Sequence, residues 1–166
     1  MQTSSRFRLA LSFISMFMLT PVTGLSAEES YRQAEVAERG AHVMPFNLAK
    51  TQHQFSKTPT GGVQRVIARN PADAEQIGLI RQHLQQLAQH FRSGDFSGPA
   101  SIHGSAMPGL GDMAHAKPGA LQIEYAEETA GATLTFTGHN PDMINAVHSY
   151  FNAQLRDHGH DALEVK

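Results

Sequence analysis

Apolar residues return at helical spacing in two long stretches of the chain. In residues 73–91, Ile77, Ile80, Leu84, Leu87, Ala88 and Phe91 fall on one face of a helix. Asn70 is suited to cap it and Pro71 to open it, while Asp73 lies in the first turn, where the helix dipole favours an anion. Ser93-Gly94 supplies the stop. The second stretch, residues 141–158, carries Ile144, Val147, Phe151 and Leu155. It too opens on Asn-Pro, with Asn140 as cap and Pro141 as first helical residue, and it ends at Gly159. Ile77, Ile80 and Leu84 align with Ile144, Val147 and Phe151 at one constant offset.

Each helix follows a pair of alternating segments. Residues 121–125 and 133–137 alternate apolar with polar, the mark of strands with one wet face, and Ala130-Gly131 turns between them. Residues 51–57 and 63–68 precede the first helix, joined through a loop whose Gly61-Gly62 is a hairpin signal. Upstream of each pair sits a Met-Pro segment, Met44-Pro45 and Met107-Pro108. The pattern predicts an α+β fold: a duplicated β-hairpin–helix unit forming a four-stranded antiparallel sheet with two helices on one face. It forms a single domain over residues 41–166, with one repeat at about 42–94 and the other at about 103–160. Residues 28–40 are charged, lack a clear stripe and are expected as an N-terminal arm or frayed helix. Residues 95–118 hold glycines, prolines, methionines and histidines, and are expected as a long functional loop.

The first residues change the picture of where this fold works. Arg6 and Arg8 precede an uncharged apolar run, followed by Pro21, Gly24 and the small pair Ser26-Ala27. This reads as a signal peptide over residues 1–27, so the chain is expected to be exported, into the periplasm of a bacterium. No membrane contact is expected after cleavage, because the apolar run is shorter than the roughly 20 residues of a spanning helix. The 166 residues contain no Cys, which removes disulfides, thiolate metal sites and a cysteine nucleophile. A formal net charge of −2 gives no electrostatic case for nucleic-acid binding.

His42-Val-Met-Pro-Phe46, Gly61-Gly-Val-Gln64, Gln76-Ile-Gly-Leu-Ile-Arg81 with His83-Leu84, Gly94-Asp-Phe-Ser97, Ile102-His-Gly104 and Met107-Pro-Gly-Leu110 together resemble a family of small exported bacterial proteins. Its members often carry the label aspartate carbamoyltransferase. The resemblance implies export and a shared fold, and supplies no catalytic residues. Transcarbamoylases bind carbamoyl phosphate with a Ser-Thr-Arg-Thr run and a His-Pro-x-Gln element, and neither occurs here. A phosphate-binding loop, a dinucleotide fingerprint, His-Glu-x-x-His and Gly-x-Ser-x-Gly are absent too.

The candidate chemistry is histidine with methionine. Ten histidines nearly equal the 13 Lys and Arg. His42 with Met44, and His103 with Met107, stand beside the prolines at corresponding places in the two repeats. His53 and His115 follow each pair, and Met113 adds a thioether. Thioether sulfur prefers Cu(I), and imidazole serves copper and zinc, so a thiol-free His/Met set suits a soft or borderline ion in an oxidising compartment. The expected metal residues are therefore His42, Met44, His53, His103, Met107 and His115, with copper first and zinc second. The two Met-Pro segments are expected to share one ion across an approximate twofold axis. No organic cofactor is implied. The competing reading is a non-catalytic binding or interaction module without metal, in which these residues pack the core or satisfy carbonyls. His83 and His90 are expected at the rim of the first helix, and His148 as a partly buried, hydrogen-bonded residue. His158 and His160 are expected either as a chelating pair on a tail or as helix-terminal cations. Arg81, Gln64 and Arg65 form a possible anion set, and Asp95 and Asp112 a possible carboxylate pair.

Overall fold

The structure, a computed structural model, describes residues 26–166. All of the expected signal segment except Ser26 and Ala27 lies outside the described residues. Five helices and five strands follow one another as α1 (Ala27–Val43), β1 (Thr51–Thr58), β2 (Gly61–Ala68), α2 (Ala74–Arg92), α3 (Ser97–His103), α4 (Leu110–Ala114), β3 (Leu121–Glu128), β4 (Gly131–Gly138), α5 (Pro141–His158) and β5 (Ala162–Glu164). Among the described residues, no helix is long and apolar enough to cross a membrane.

The fold is α+β, but the sheet differs from the expected one. It has five strands in the order β3-β4-β2-β1-β5, and β5 runs parallel to β1. Three residues without alternation leave no strand signal. What recruits them is the open edge of β1, where Ala162 pairs with His53 and Val165 N–H donates to Phe55 O. Within the sheet, β1–β2 and β3–β4 are antiparallel hairpins, joined by an antiparallel β2–β4 pairing.

The two hairpins match position for position. Thr51 corresponds to Leu121 and Gly61 to Gly131, and β2 and β4 share one pattern of burial. Gln64 pairs with Leu134 across the β2–β4 ladder, and these two positions correspond. The approximate twofold axis therefore passes between them. Gly61 and Gly131 obey the same relation: a Cβ on Gly61 would lie 2.1 Å from Phe136 O, and one on Gly131 2.0 Å from Val66 O. Each glycine lets the other hairpin approach, which is why both turns contain one.

Both long helices cover the same sheet face, and each leans on the opposite hairpin. From α2, Arg81 donates to Glu128 O and Gly131 O, and Arg92 to Ile123 O. From α5, the His148 ring donates to Thr58 O and Gly61 O at 3.0 and 2.9 Å, the half-buried role expected of it. Between them lies an aromatic core in which Phe136 meets Phe91, Tyr150 and Phe151. The sheet's other face is polar and half-exposed, with Arg65 holding Glu128 and Gln54.

Three local expectations are corrected. Asn70 caps only the turn before α2, and Asp73 is the true cap, its carboxylate accepting from Gln76 N–H at 3.2 Å. The buried side of α5 is broader than its apolar stripe, running through Met143, Ala146, Tyr150, Ala153 and Asp157, because α1 packs on it from outside. Residues 95–118 form two short helices instead of a loop, anchored by buried Pro99, Ile102, Met107, Leu110 and Met113.

The charged N-terminal segment is a helix throughout. Ser26 and Glu29 form a reciprocal capping box. Only Val36 and Gly40 of α1 are buried, so polar contacts attach it: Arg39 to Ile102 O and Gln33 to Arg156 O.

Candidate functional site

Besides Thr51, whose hydroxyl donates to backbone carbonyls, the sheet's apolar face carries two polar residues, His53 on β1 and Gln64 on β2, both buried. In the matching hairpin these positions are Ile123 and Leu134, ordinary core residues. The polar pair opens a cavity of about 40 Å³ in the core, lined by His53, Gln64, His83, His103, His158 and Met44. That volume admits roughly two or three waters, or one ion, and is too small for a large organic cofactor.

Four elements deliver the histidines. His53 comes from β1, His83 from α2, His103 from the last turn of α3 and His158 from the end of α5. The His53 and His158 rings stack with centroids 5.0 Å apart and planes 10° from parallel. His103 stands edge-on to His158, again at 5.0 Å. Phe46, placed by the first Met-Pro segment, packs against both other rings, with centroids 6.0 Å from His53 and 5.6 Å from His83.

Burial keeps much of this cluster uncharged. Desolvation, helped by His83 and His103 nearby, pushes His53 down to about 4. Desolvation pushes His83 to about 4 as well. His158 is driven well below its ordinary value by burial, then by His53 and His103, against the opposing pull of Asp157. Neutral imidazoles carry an accessible lone pair at neutral pH, the form that binds metal.

Behind His103 sits Asp157, with a fully buried side chain. Its Oδ2 accepts from His103 Nδ1 at 3.0 Å and from Arg32 Nη2 at 2.8 Å, while Arg156 approaches Oδ1 at 3.1 Å. Burial alone would raise this carboxyl, but hydrogen bonds from His103 and Arg32 hold it well below the usual range. Arg32 also donates to His103 O. The carboxylate can only accept, so Nδ1 donates to it, and in the neutral ring Nε2 keeps the lone pair. A carboxylate on the far nitrogen of an imidazole is the usual support of a metal-binding histidine. Among the described residues, this is the one hydrogen bond made by any ring of the cluster.

Gln64 is the second unusual feature. Its Oε1 is buried without a partner, the one such side-chain atom among the described residues. An orphaned buried acceptor costs stability, so Gln64→Leu, which restores the residue of the matching hairpin, should stabilise the metal-free fold by about 1–3 kcal/mol in urea titration. An unchanged or lower midpoint would mean that Oε1 is satisfied in solution.

The structure brings together three of the six expected metal residues: Met44, His53 and His103. His42 is exposed at the end of α1. Met107 is buried and lines a separate groove beside Arg32 and Asp157. His115 is exposed, its Nδ1 bonded to Gly111 O at 2.8 Å. The two Met-Pro segments therefore do not face one cavity. Sequence reasoning missed the other two rings, since His83 reaches inward from the helix rim and His158 is buried while His160 is exposed. A comparison of the two units contains the signal: His53, Gln64 and His158 replace Ile123, Leu134 and Phe91. The expected anion set is dispersed, with Arg65 and Arg81 paired to Glu128 and Glu127 and Gln64 turned into the core. Asp95 and Asp112 line different grooves.

Among the described residues, no three His, Asp or Glu side chains surround a common point as a metal site would require. Comparison with protein-family models, curated proteins and solved structures returned no match.

Proposed function

We propose that this is an exported, periplasmic metal-binding protein whose ligand is Cu(I), held in the histidine-lined cavity. The observation that carries the reading is that buried His53, His103 and His158, half-buried His83 and Met44 all line one small cavity. Cu(I) is satisfied by two or three soft or borderline donors, and imidazole with thioether is such a set. Zinc is the weaker choice, because it prefers four converging ligands and, among the described residues, no three His, Asp or Glu donors converge. Asp157 would orient His103 from behind, and Arg32 would hold Asp157 in place. The task that fits is binding or carrying the ion.

The test is a Cu(I) competition titration of the untagged protein against a chromophoric chelator. One ion per chain is expected. Met44→Leu keeps the apolar volume and loses the sulfur, and should weaken binding by about tenfold or more. His53→Phe keeps a ring and loses its nitrogens, and should abolish tight uptake. Variants that bind like the wild type, or a wild type that binds no better than free imidazole, would overturn the reading.

The unpartnered Gln64 oxygen favours a second reading, a non-catalytic binding module without metal whose cavity takes a small hydrogen-bond donor. Wild-type protein that ignores Cu(I) would leave this reading standing.

A further inference from the structure

Next to the cavity lies an outer groove of about 230 Å³, lined by His90, Asp95 and Ser97. Val43, His83, Leu87 and Gly98 line both spaces and so form the wall between them. His83 and His90 lie seven residues apart on α2, two turns or about 10 Å along one side of the helix. Access falls inward along this line: the His90 side chain is 57% exposed, His83 is half-buried and His53 is buried.

The outer histidine is built like an inner one. His90 Nδ1 lies 2.7 Å from Asp95 Oδ2, as His103 Nδ1 lies near Asp157. Asp95 is itself fixed by the Ser97 N–H at 2.9 Å. Hydrogen bonds from Ser97 first, and then from His90, hold its carboxyl down at about 2, so it stays an acceptor. With Nδ1 engaged, the free nitrogen of His90 is Nε2.

We propose, resting on the copper reading, that this groove is the port of the metal cavity: His90 takes Cu(I) from solution and His83, common to both spaces, passes it to His53. Because His90 and His83 are about 10 Å apart, water fills the position that one imidazole leaves until the next binds, and the ion stays Cu(I) throughout. Without such a stepping stone, an ion held by an outside chelator has to shed its ligands before meeting a buried imidazole.

The experiment mixes metal-free full-length protein with Cu(I) held by bicinchoninate, and follows the loss of chelate colour by stopped flow. His90→Ala should slow uptake by about tenfold while final occupancy is unchanged, since a port alters rate and leaves affinity alone. Asp95→Asn should slow it less. Gly98→Leu removes no ligand and narrows the way through the wall. A Cβ at Gly98 meets only Leu87 Cδ2, at 3.8 Å, so the fold tolerates a side chain there, and uptake should slow as in His90→Ala. Wild-type rates in both His90→Ala and Gly98→Leu would overturn the port while leaving the cavity reading intact. A wild type that takes up no copper would overturn the cavity reading and the port together.

Discussion

Asp157→Ala is expected to destabilise the fold by about 2–3 kcal/mol, the cost of leaving the buried His103 N–H unpaired and of losing two part-exposed arginine contacts. The carboxylate has no exposed side-chain surface and accepts from three residues on three elements: Arg32 of α1, His103 of α3 and Arg156 of α5. Its loss strands a buried imidazole N–H and removes the tie that holds α1 against α5. With so little of α1 buried, that helix should loosen first and show faster amide exchange than the sheet. Urea midpoints and a drop in Tm of roughly 10 °C would report the effect. Asp157→Asn keeps the shape and one acceptor, and should cost less. If Asp157→Ala costs under about 1 kcal/mol, the cluster is not organised by this carboxylate.

Acid should unfold the protein, with the loss beginning well above the carboxylate range. His53 and His83 titrate near 4 in the fold, and His158 lies well below its ordinary 6.5. Unfolded, each returns to about 6.5. Between these values the unfolded chain binds more protons than the folded one, so stability falls as pH falls. It is complete above about pH 6.5 and declines through pH 4. A ring held down at about 4, as buried His53 is, contributes on the order of 3 kcal/mol across the window, a sizeable share of the stability of an ordinary domain. Asp157 acts in the same direction, its contribution being lost below about pH 4. Denaturant titrations between pH 7 and pH 4.5 should show a slope of two to three protons per molecule, roughly one per shifted ring. His53→Ile, the residue of the matching hairpin, should reduce that slope by about one. A flat profile above pH 5 would show that the rings titrate normally.

The long elements were readable because their signals are local. Asn140-Pro141 and Gly159 bound α5 where sequence places it, and glycine turns with alternation mark both hairpins. β5 and the helices α3 and α4 escape because each is shorter than the window in which a period shows. They are held by distant partners: β5 by the edge of β1, and α4 by α5. The site was half legible. Met44, His53 and His103 stood out by residue type and by their neighbours. His83 and His158 did not, because a helix stripe is judged against one packing surface, whereas His83 reaches the cavity from the middle of α2 and His158 from the end of α5.

The exchange of helices between hairpins bears on how such a chain arises. α2 is tied to β3 and β4, and α5 reaches back to the β1–β2 turn, so one hairpin–helix unit alone would lose much of the packing that its strands and helix have here. A founding gene encoding one unit would have made a peptide that folds only by embracing a second copy. Fusion of two such genes frees the halves to diverge. In an assembly of identical subunits, any polar residue near the axis appears twice, so an orphan such as Gln64 would face its own duplicate. On a single chain it faces Leu134, and asymmetry of that kind lets one half keep the core while the other becomes a site.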